Sequence, residues 1–475
     1  MDSLQKRTVY WLLAVLSLAL YALMPIVFPL LSHYNRAPLL DVRSFAPSPL
    51  AGLAYGLLFL LLYAAYTAAW RHVSSRGARL WLILLPVLLF SLPLLLTYPI
   101  NATDLFRYFV RGRVTSFYGQ SALAVPPSAF PHDPYLPLAG EWAGQTSPYG
   151  PVWELLAAAV TIVSAQNLLP GLLLFKLVAV LAHVGIAALI WKGGEHLERG
   201  QRAGYTLLWA WNPALLLMFV VDGHNDALML FWLVLGFVVM QRRPLVGFLV
   251  AVLGALSKPI ALLALPFLFL GYWRGLQSWR ARWRFLLASS AVTLILGLGT
   301  FAPFGSPLEL ATRLLTEASE AVGFSPGVML VLLARGLGLS FNMDAVIEAG
   351  AAIGLGLFVL LALLLLWHVW RGMSVPAGVA AVFAGYVATA LTFRIWYSTW
   401  PFAWLVLDHQ HHRRALSAGF WFLLTAHLSI LIYGHLRVYA LGGSQTLAHL
   451  IGVPFTFVLP LFLARWLPLR HAAAV

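Results

Sequence analysis

From Val9 to Leu31 the chain carries no charged residue, and runs of similar length and apolarity recur almost to its end. A helix needs about 20 apolar residues to cross a bilayer, so these runs decide the fold class before any motif is read. They are continuous rather than alternating, which excludes a transmembrane barrel. Composition agrees: 61% of the 475 residues are hydrophobic, 10% are charged, and the mean hydropathy is +0.85. Such a chain is neither disordered nor a string of soluble domains. It is expected to be an all-α, polytopic membrane protein.

Thirty Lys and Arg stand against 16 Asp and Glu, a formal net charge of +14. In a soluble protein that excess would point to nucleic acid. In a polytopic one, cytoplasmic loops collect Lys and Arg, and no nucleic-acid partner is expected. The absence of cysteine removes disulfides, thiolate metal sites and cysteine nucleophiles. Lys6 and Arg7 precede an apolar run longer than the core of a signal peptide. An uncleaved first helix with a cytoplasmic N-terminus is therefore expected.

Apolar length places helices over 9–31, 49–70 and 80–100. Arg71, Arg76 and Arg79 put the loop 71–79 inside, which delivers residues 101–150 to the outside as the first large extracytoplasmic loop. A half-buried segment over 151–166 follows. Helices over 171–191, 203–221 and 227–240 come next, with 192–202 inside and 222–226 outside. Residues 244–272 have basic flanks at both ends (Arg242, Arg243 and Arg274, Arg280, Arg282, Arg284), so they must cross an even number of times. Two short helices with Lys258–Pro259 at the outer tip satisfy this. Helices over 285–303, 345–370, 376–392, 397–408, 415–432 and 449–466 complete about 13 membrane segments, with the C-terminus inside. No repeat of fixed period and no linker is visible, so residues 1–475 are read as one domain in the plasma membrane.

Ionisable residues in such a chain are functional candidates. Beyond Thr103, which is placed to cap a helix, Asp104, Arg107, Tyr108 and Arg111 fall on one helical face. Phe106, Val110 and Phe117 fall opposite, which describes an amphipathic helix lying at the membrane surface. A carboxylate among guanidinium groups at that level suits chemistry on an anionic lipid head group; ordinary ion pairs on an interfacial helix fit the same spacing. The loop then carries Pro126-Pro-Ser-Ala129 and Ser147-Pro-Tyr-Gly-Pro151. Its prolines restrict the backbone, so it is expected to be ordered, as a binding loop or as a rigid connector.

Trp211-Asn-Pro213 predicts a kink, and Asp222-Gly-His-Asn-Asp226 follows it at the outer mouth. The spacing of these acids and His224 also permits a divalent metal, without a further ligand in view. Lys176, Lys258 and Arg394, the last beside Trp396 and Tyr397, share an outer level; they suit a phosphate together or snorkel singly to the interface. The run Asp408-His-Gln-His-His412 resembles a metal tract but reads as a cytoplasmic turn beside Arg413 and Arg414.

These motifs together resemble the GT-C class of integral-membrane glycosyltransferases, and within it the bacterial polyprenyl-phosphate-mannose-dependent α-mannosyltransferases. The matching pieces are Asp104-Leu-Phe-Arg-Tyr108 with Gly112-Arg113, the Pro126 loop, Ser147-Pro-Tyr-Gly-Pro151, Asn212-Pro213, Gly223-His-Asn-Asp-Ala227, Ser257-Lys-Pro259 and Trp396-Tyr397, in the family's order over roughly residues 100–400. The resemblance implies that Asp104 is the essential acid of the first outer loop and that His224–Asp226 is the second acidic motif. Arg111 departs from it, since many relatives carry an acid there.

With the resemblance added, the expected function is inverting transfer of a hexose, which the resemblance implies is mannose, from a polyprenyl-phosphate donor to an extracytoplasmic glycan or glycolipid. Asp104 would act as general base. Arg107, Lys258 and Arg394 would meet the leaving phosphate. Tyr108, Arg113, Tyr149, His224, Asn225, Asp226 and Tyr397 complete the expected substrate-binding set. No cofactor is expected. The rivals are a lipid-linked sugar flippase or transporter, a scaffold subunit without chemistry, and the same enzyme class with another polyprenyl-phosphate sugar.

Overall fold

A computed structural model of the chain describes residues 3–36, 41–320, 323–338, 342–408 and 413–469. Every regular element among the described residues is a helix, with one isolated bridge between Pro29 and Thr97 and no strand. Eight of the described helices are long and apolar enough to cross a membrane, and seven shorter apolar helices of 10–17 residues accompany them. Pro49–Arg76, Leu168–Gly193 and Met343–Arg371 cover expected runs, while the run 9–31 gives the helix Ser3–Ala22 followed by two short turns and the run 80–100 gives a helix that stops at Leu95. Lipid-suited side chains such as Leu50, Leu53, Ile295, Leu298 and Leu363 point outward. Helices Pro307–Glu320 and Pro326–Gly336 fill the stretch between the expected helices 285–303 and 345–370. The His-rich turn at 409–412 lies outside the described residues; Asp408 before it accepts a hydrogen bond from Ser374 Oγ at 2.7 Å.

From Ala203 to Val221 the segment Arg199–Val221 runs through the bundle buried on every side. Apolarity all round suits that position. Hydrogen bonds pin it laterally: Tyr66 OH donates to the Leu208 carbonyl at 2.7 Å, Trp209 Nε1 to His183 O at 3.1 Å and Trp211 Nε1 to Ile83 O at 2.9 Å. The expected break at Pro213 is present. Asn212 restarts the helix, its Oδ1 accepting from Ala214 N at 3.0 Å and Leu215 N at 3.4 Å. A π-helical turn over Leu217–Val221 then ends the segment at Asp222.

Gly223 turns the chain with φ +68°, and a Cβ there would lie 2.5 Å from Leu105 Cδ1. Glycine supplies both the left-handed backbone and the room. The turn therefore seats the 222–226 motif against the Asp104 helix. The broken helix behaves as its sequence dictates. Pro259 restricts the residue before it, Lys258 is extended (φ −145°, ψ 116°), and the helix Pro244–Ser257 stops there.

The helix after Thr103 exists, spanning Asp104–Ser116, but its setting differs from the expected surface helix. Asp104–Phe106 and Tyr108–Val114 are buried, so both faces are covered by protein. Gly112 meets the Pro151–Val163 helix, where a Cβ would lie 2.5 Å from the Ala157 carbonyl oxygen. Thr103 does not cap through its side chain. Its φ of −98° and ψ of 7° are not the extended geometry that turns a hydroxyl onto the first helical amides.

Candidate active site

Asp104 is 4% exposed, and its two oxygens have different surroundings. Oδ1 accepts from Tyr149 OH at 2.9 Å and pairs with Arg107 Nη2 at 2.9 Å. Oδ2 makes no hydrogen bond among the described residues and faces His224 Nδ1 at 4.0 Å. Burial alone would raise the pKa of this carboxyl. The charges of Arg107 and Lys258 and the Tyr149 hydroxyl outweigh burial and hold the group well below the usual carboxylate range. The result is an ionised carboxylate with one oxygen fixed and the other available.

His224 joins the two acidic motifs. Its Nδ1 is also 4.0 Å from Asp226 Oδ2, and its ring lies on Trp396 with centroids 4.0 Å apart. Burial lowers its pKa to about 4, against the pull of both aspartates, so the imidazole is neutral at neutral pH. Its Nε2 has no partner among the described residues.

Asp226 is fully buried and fully engaged. Oδ2 pairs with Lys258 Nζ at 2.8 Å, and Oδ1 accepts from Trp400 Nε1 at 2.5 Å. Lys258 also donates to Asn225 Oδ1 at 3.2 Å and lies 5.7 Å from the Tyr149 ring centroid. The Asn225 side-chain nitrogen is buried without a partner, and its backbone N–H donates weakly to Tyr108 OH at 3.4 Å. Asp104, Arg107, Tyr108, Tyr149, His224, Asn225, Asp226 and Lys258 thus meet in one place. Four unpartnered polar atoms among the described residues (Asp104 Oδ2, Arg107 Nε, His224 Nε2 and Asn225 Nδ2) belong to it. Buried polar atoms are normally satisfied, and orphans gathered this way fit a site whose ligand supplies the missing bonds.

Other expected residues stand around this centre. Tyr397 stacks on Trp400 at 4.1 Å. Arg394 lines an adjoining cavity of about 220 Å³ with Asn101, Phe393, Trp396 and Ser429. Arg113 faces elsewhere: it pairs with Asp133 at 2.9 Å, donates to Gln166 Oε1 at 3.0 Å and lies over Phe117 and Tyr135. It fastens the outer loop. Lys176 does not join Lys258 and Arg394 either, since its ammonium is buried on backbone carbonyls of residues 94, 95 and 97.

Arg111 lies beneath the loop, donating to Thr146 O at 3.2 Å, and burial lowers its pKa. Near it Ser147 Oγ donates to the fully buried Glu154 at 2.5 Å. Sequence reasoning missed Glu154 and Trp400. Glu154 had a signal, as the one charge in an otherwise apolar segment, 151–166. Trp400 had none, being one of 19 tryptophans in a chain where most suit the interfaces.

Comparison with known proteins gives the family. A family described as "Alpha-(1->6)-mannopyranosyltransferase, N-terminal domain" matches residues 9–274, which include Asp104, the outer loop, His224, Asp226 and Lys258. Alpha-(1->6)-mannopyranosyltransferase A of Mycobacterium tuberculosis is 26% identical over 377 residues, covering 75% of this chain and 71% of the relative. A probable alpha-(1->6)-mannopyranosyltransferase of Mycolicibacterium smegmatis is 26% identical over 364 residues, covering 66% of this chain and 63% of the relative. Alpha-(1->6)-mannopyranosyltransferase B of Corynebacterium glutamicum is 28% identical over 147 residues, or 30% of this chain and 24% of the relative.

Proposed function

The chain belongs to the alpha-(1->6)-mannopyranosyltransferase family, and from that premise we propose that it moves mannose from a polyprenyl phosphate to a hydroxyl of an extracytoplasmic glycan or glycolipid, with inversion at the anomeric carbon. The observation that carries this reading is the division of labour at Asp104: Oδ1 is fixed by Tyr149 and Arg107 while Oδ2 is open beside His224. A positioned base of this kind contributes typically about 10²–10⁴ in rate.

In the proposed step the acceptor oxygen forms a bond to the anomeric carbon from the face opposite the phosphate. The carbon–oxygen bond to the phosphate breaks, and its electron pair leaves with the phosphate. The acceptor proton passes to Asp104 Oδ2. A carboxylate with a low pKa is a weak base, but the hydroxyl becomes acidic as its oxygen bonds to carbon, so a late proton transfer suffices. Charge growing on the phosphate draws on Arg394, Lys258 and Arg107, which act in a low-dielectric setting. Arg107 can transfer part of its bonding from Asp104 to the phosphate, which raises the basicity of Asp104 as the donor binds. His224 and Asn225 offer their unpartnered nitrogens to sugar hydroxyls, Asp226 holds Lys258 in place, and Tyr108, Tyr149 and Tyr397 wall the site. Each carboxylate already has a cation beside it, which favours transfer without a metal.

The proposed setting is the plasma membrane, with the site on the outer side and both termini in the cytoplasm. The test uses purified protein, labelled polyprenyl-phosphate-mannose and a short mannan primer, with and without EDTA. Label should reach the primer in both conditions and fall by about 10²–10⁴ in Asp104→Asn. In sealed vesicles, movement of lipid-linked sugar without a new glycosidic bond would favour a transporter instead.

A further inference from the structure

Two buried charges lie next to the site and bond to none of its reacting groups. Lys176 and Asp222 are each 0% exposed. Taking a charge out of water costs several kcal/mol, so their partners show what they do. The helix Leu80–Leu95 ends there, and the chain crosses as irregular backbone to the start of the Asp104 helix. Irregular backbone inside a membrane protein needs partners for its peptide groups.

Lys176 Nζ donates to Leu94 O at 3.3 Å, to Leu95 O at 3.3 Å and to Thr97 O. An ammonium with its donors on the last carbonyls of a helix also matches the negative end of the helix dipole. Asp222 receives the next groups. Its Oδ1 accepts from Ile100 N at 2.8 Å and Asn101 N at 3.2 Å, and its Oδ2 accepts from Asn101 Nδ2 at 2.8 Å. A carboxylate is the side chain that offers two acceptor oxygens to three donors at once. Tyr98 N donates to Phe28 O at 2.8 Å between the two.

Resting on the reading of Asp104 as the base, we infer that Asp222 and Lys176 are positioning residues, clasping residues 94–101 from two other helices so that Asp104 stands where its open oxygen can meet the acceptor. Asn101 is three residues before Asp104, a reach of at most about 10 Å. Displacement of the clasped end is transmitted to the carboxylate with little slack. A misplacement of about 1 Å at a reacting group costs on the order of 10²-fold in rate.

The test uses the full-length protein in detergent and reads backbone and turnover separately. Hydrogen exchange of Ile100 and Asn101 should be slow in the parent and at least about tenfold faster in Asp222→Ala, since the carboxylate holding both amides is gone. In the same variant kcat should fall by about 10²-fold, with KM for donor and acceptor within about twofold. The acid limb of kcat/KM should move to higher pH, because Asp104 then leaves Arg107 and Tyr149. A merely structural role would not move that limb. The exchanged pair Asn101→Asp with Asp222→Asn restores a carboxylate facing an amide and should recover most of kcat. If Asp222→Ala fails to fold, Asp222→Asn, which keeps size and shape, should show smaller changes in the same directions. Unchanged exchange overturns the inference whatever the fate of Asp104. Faster exchange with kcat and the acid limb unmoved also overturns it. An Asp104→Asn enzyme as active as the parent would instead overturn the reading of the base, which the exchange measurement does not use.

Discussion

Lys258 Nζ stands 2.8 Å from Asp226 Oδ2 across 32 residues of sequence, and the carboxylate has no exposure at all. Removing one partner of a buried pair leaves the other charge uncompensated, at about 3–5 kcal/mol. Lys258→Met should therefore lower the thermal-unfolding midpoint in detergent sharply, and adding Asp226→Asn should recover most of it. The double variant would still be slow in mannose transfer, because Lys258 is also proposed to meet the phosphate.

Tyr149→Phe deletes the hydroxyl that donates to Asp104 Oδ1 at 2.9 Å and leaves the ring in place. A hydrogen bond to a charged group is worth about 1.5–3 kcal/mol, and part of it survives through Arg107. A fall in kcat of about tenfold is expected, with the unfolding midpoint little changed. Steady-state kinetics on the purified variant will check it.

The pH dependence follows from the charges around Asp104. Its carboxyl is held below the ordinary range and His224 titrates near 4. A base that must be ionised remains so as pH falls from 8 to about 5, so kcat/KM should be flat over that interval from these groups. Arg107→Gln removes the nearest cation, the pKa of Asp104 rises, and the acid limb should move up by about one to three pH units. A parent profile with a step near pH 6.5 that His224→Gln abolishes would contradict this.

Arg113 and Asp133 form a pair in which both side chains are about 5% exposed or less. Arg113→Ala should loosen the outer loop, because Asp133 is left unpaired and the contacts to Tyr135 and Gln166 are lost. The expected readout is faster protease cleavage within residues 118–150 of folded protein. An effect confined to donor KM would show that Arg113 meets substrate instead.

Much of the bundle was legible because a membrane imposes one length and one polarity on every crossing. The breaks at Pro213 and Pro259 were legible because proline acts through covalent geometry. Asp104 and Arg107 were found on one face because helical spacing fixes it. What sequence could not show is which polar residue meets which across the bundle. Lys176 and Lys258 look alike in sequence, each a lone lysine in an apolar run. One holds the end of a neighbouring helix and the other pairs with Asp226. The Asp104 helix looked amphipathic at the membrane surface because its polar face carries arginines. Protein covers it instead, with Arg111 and Arg113 bonded to loop residues far along the chain.

Gly150 donates its N–H to Ser257 O at 3.1 Å, and a Cβ on it would fall 2.0 Å from the Leu256 carbonyl oxygen. One neighbour along the chain is Tyr149, which grips Asp104; one residue beyond Ser257 is Lys258. The proposed proton acceptor and the ammonium proposed to meet the phosphate are therefore riveted to a common joint. Any side chain at position 150 would pry Tyr149 and Lys258 apart, whatever the outer loop upstream of residue 147 carries.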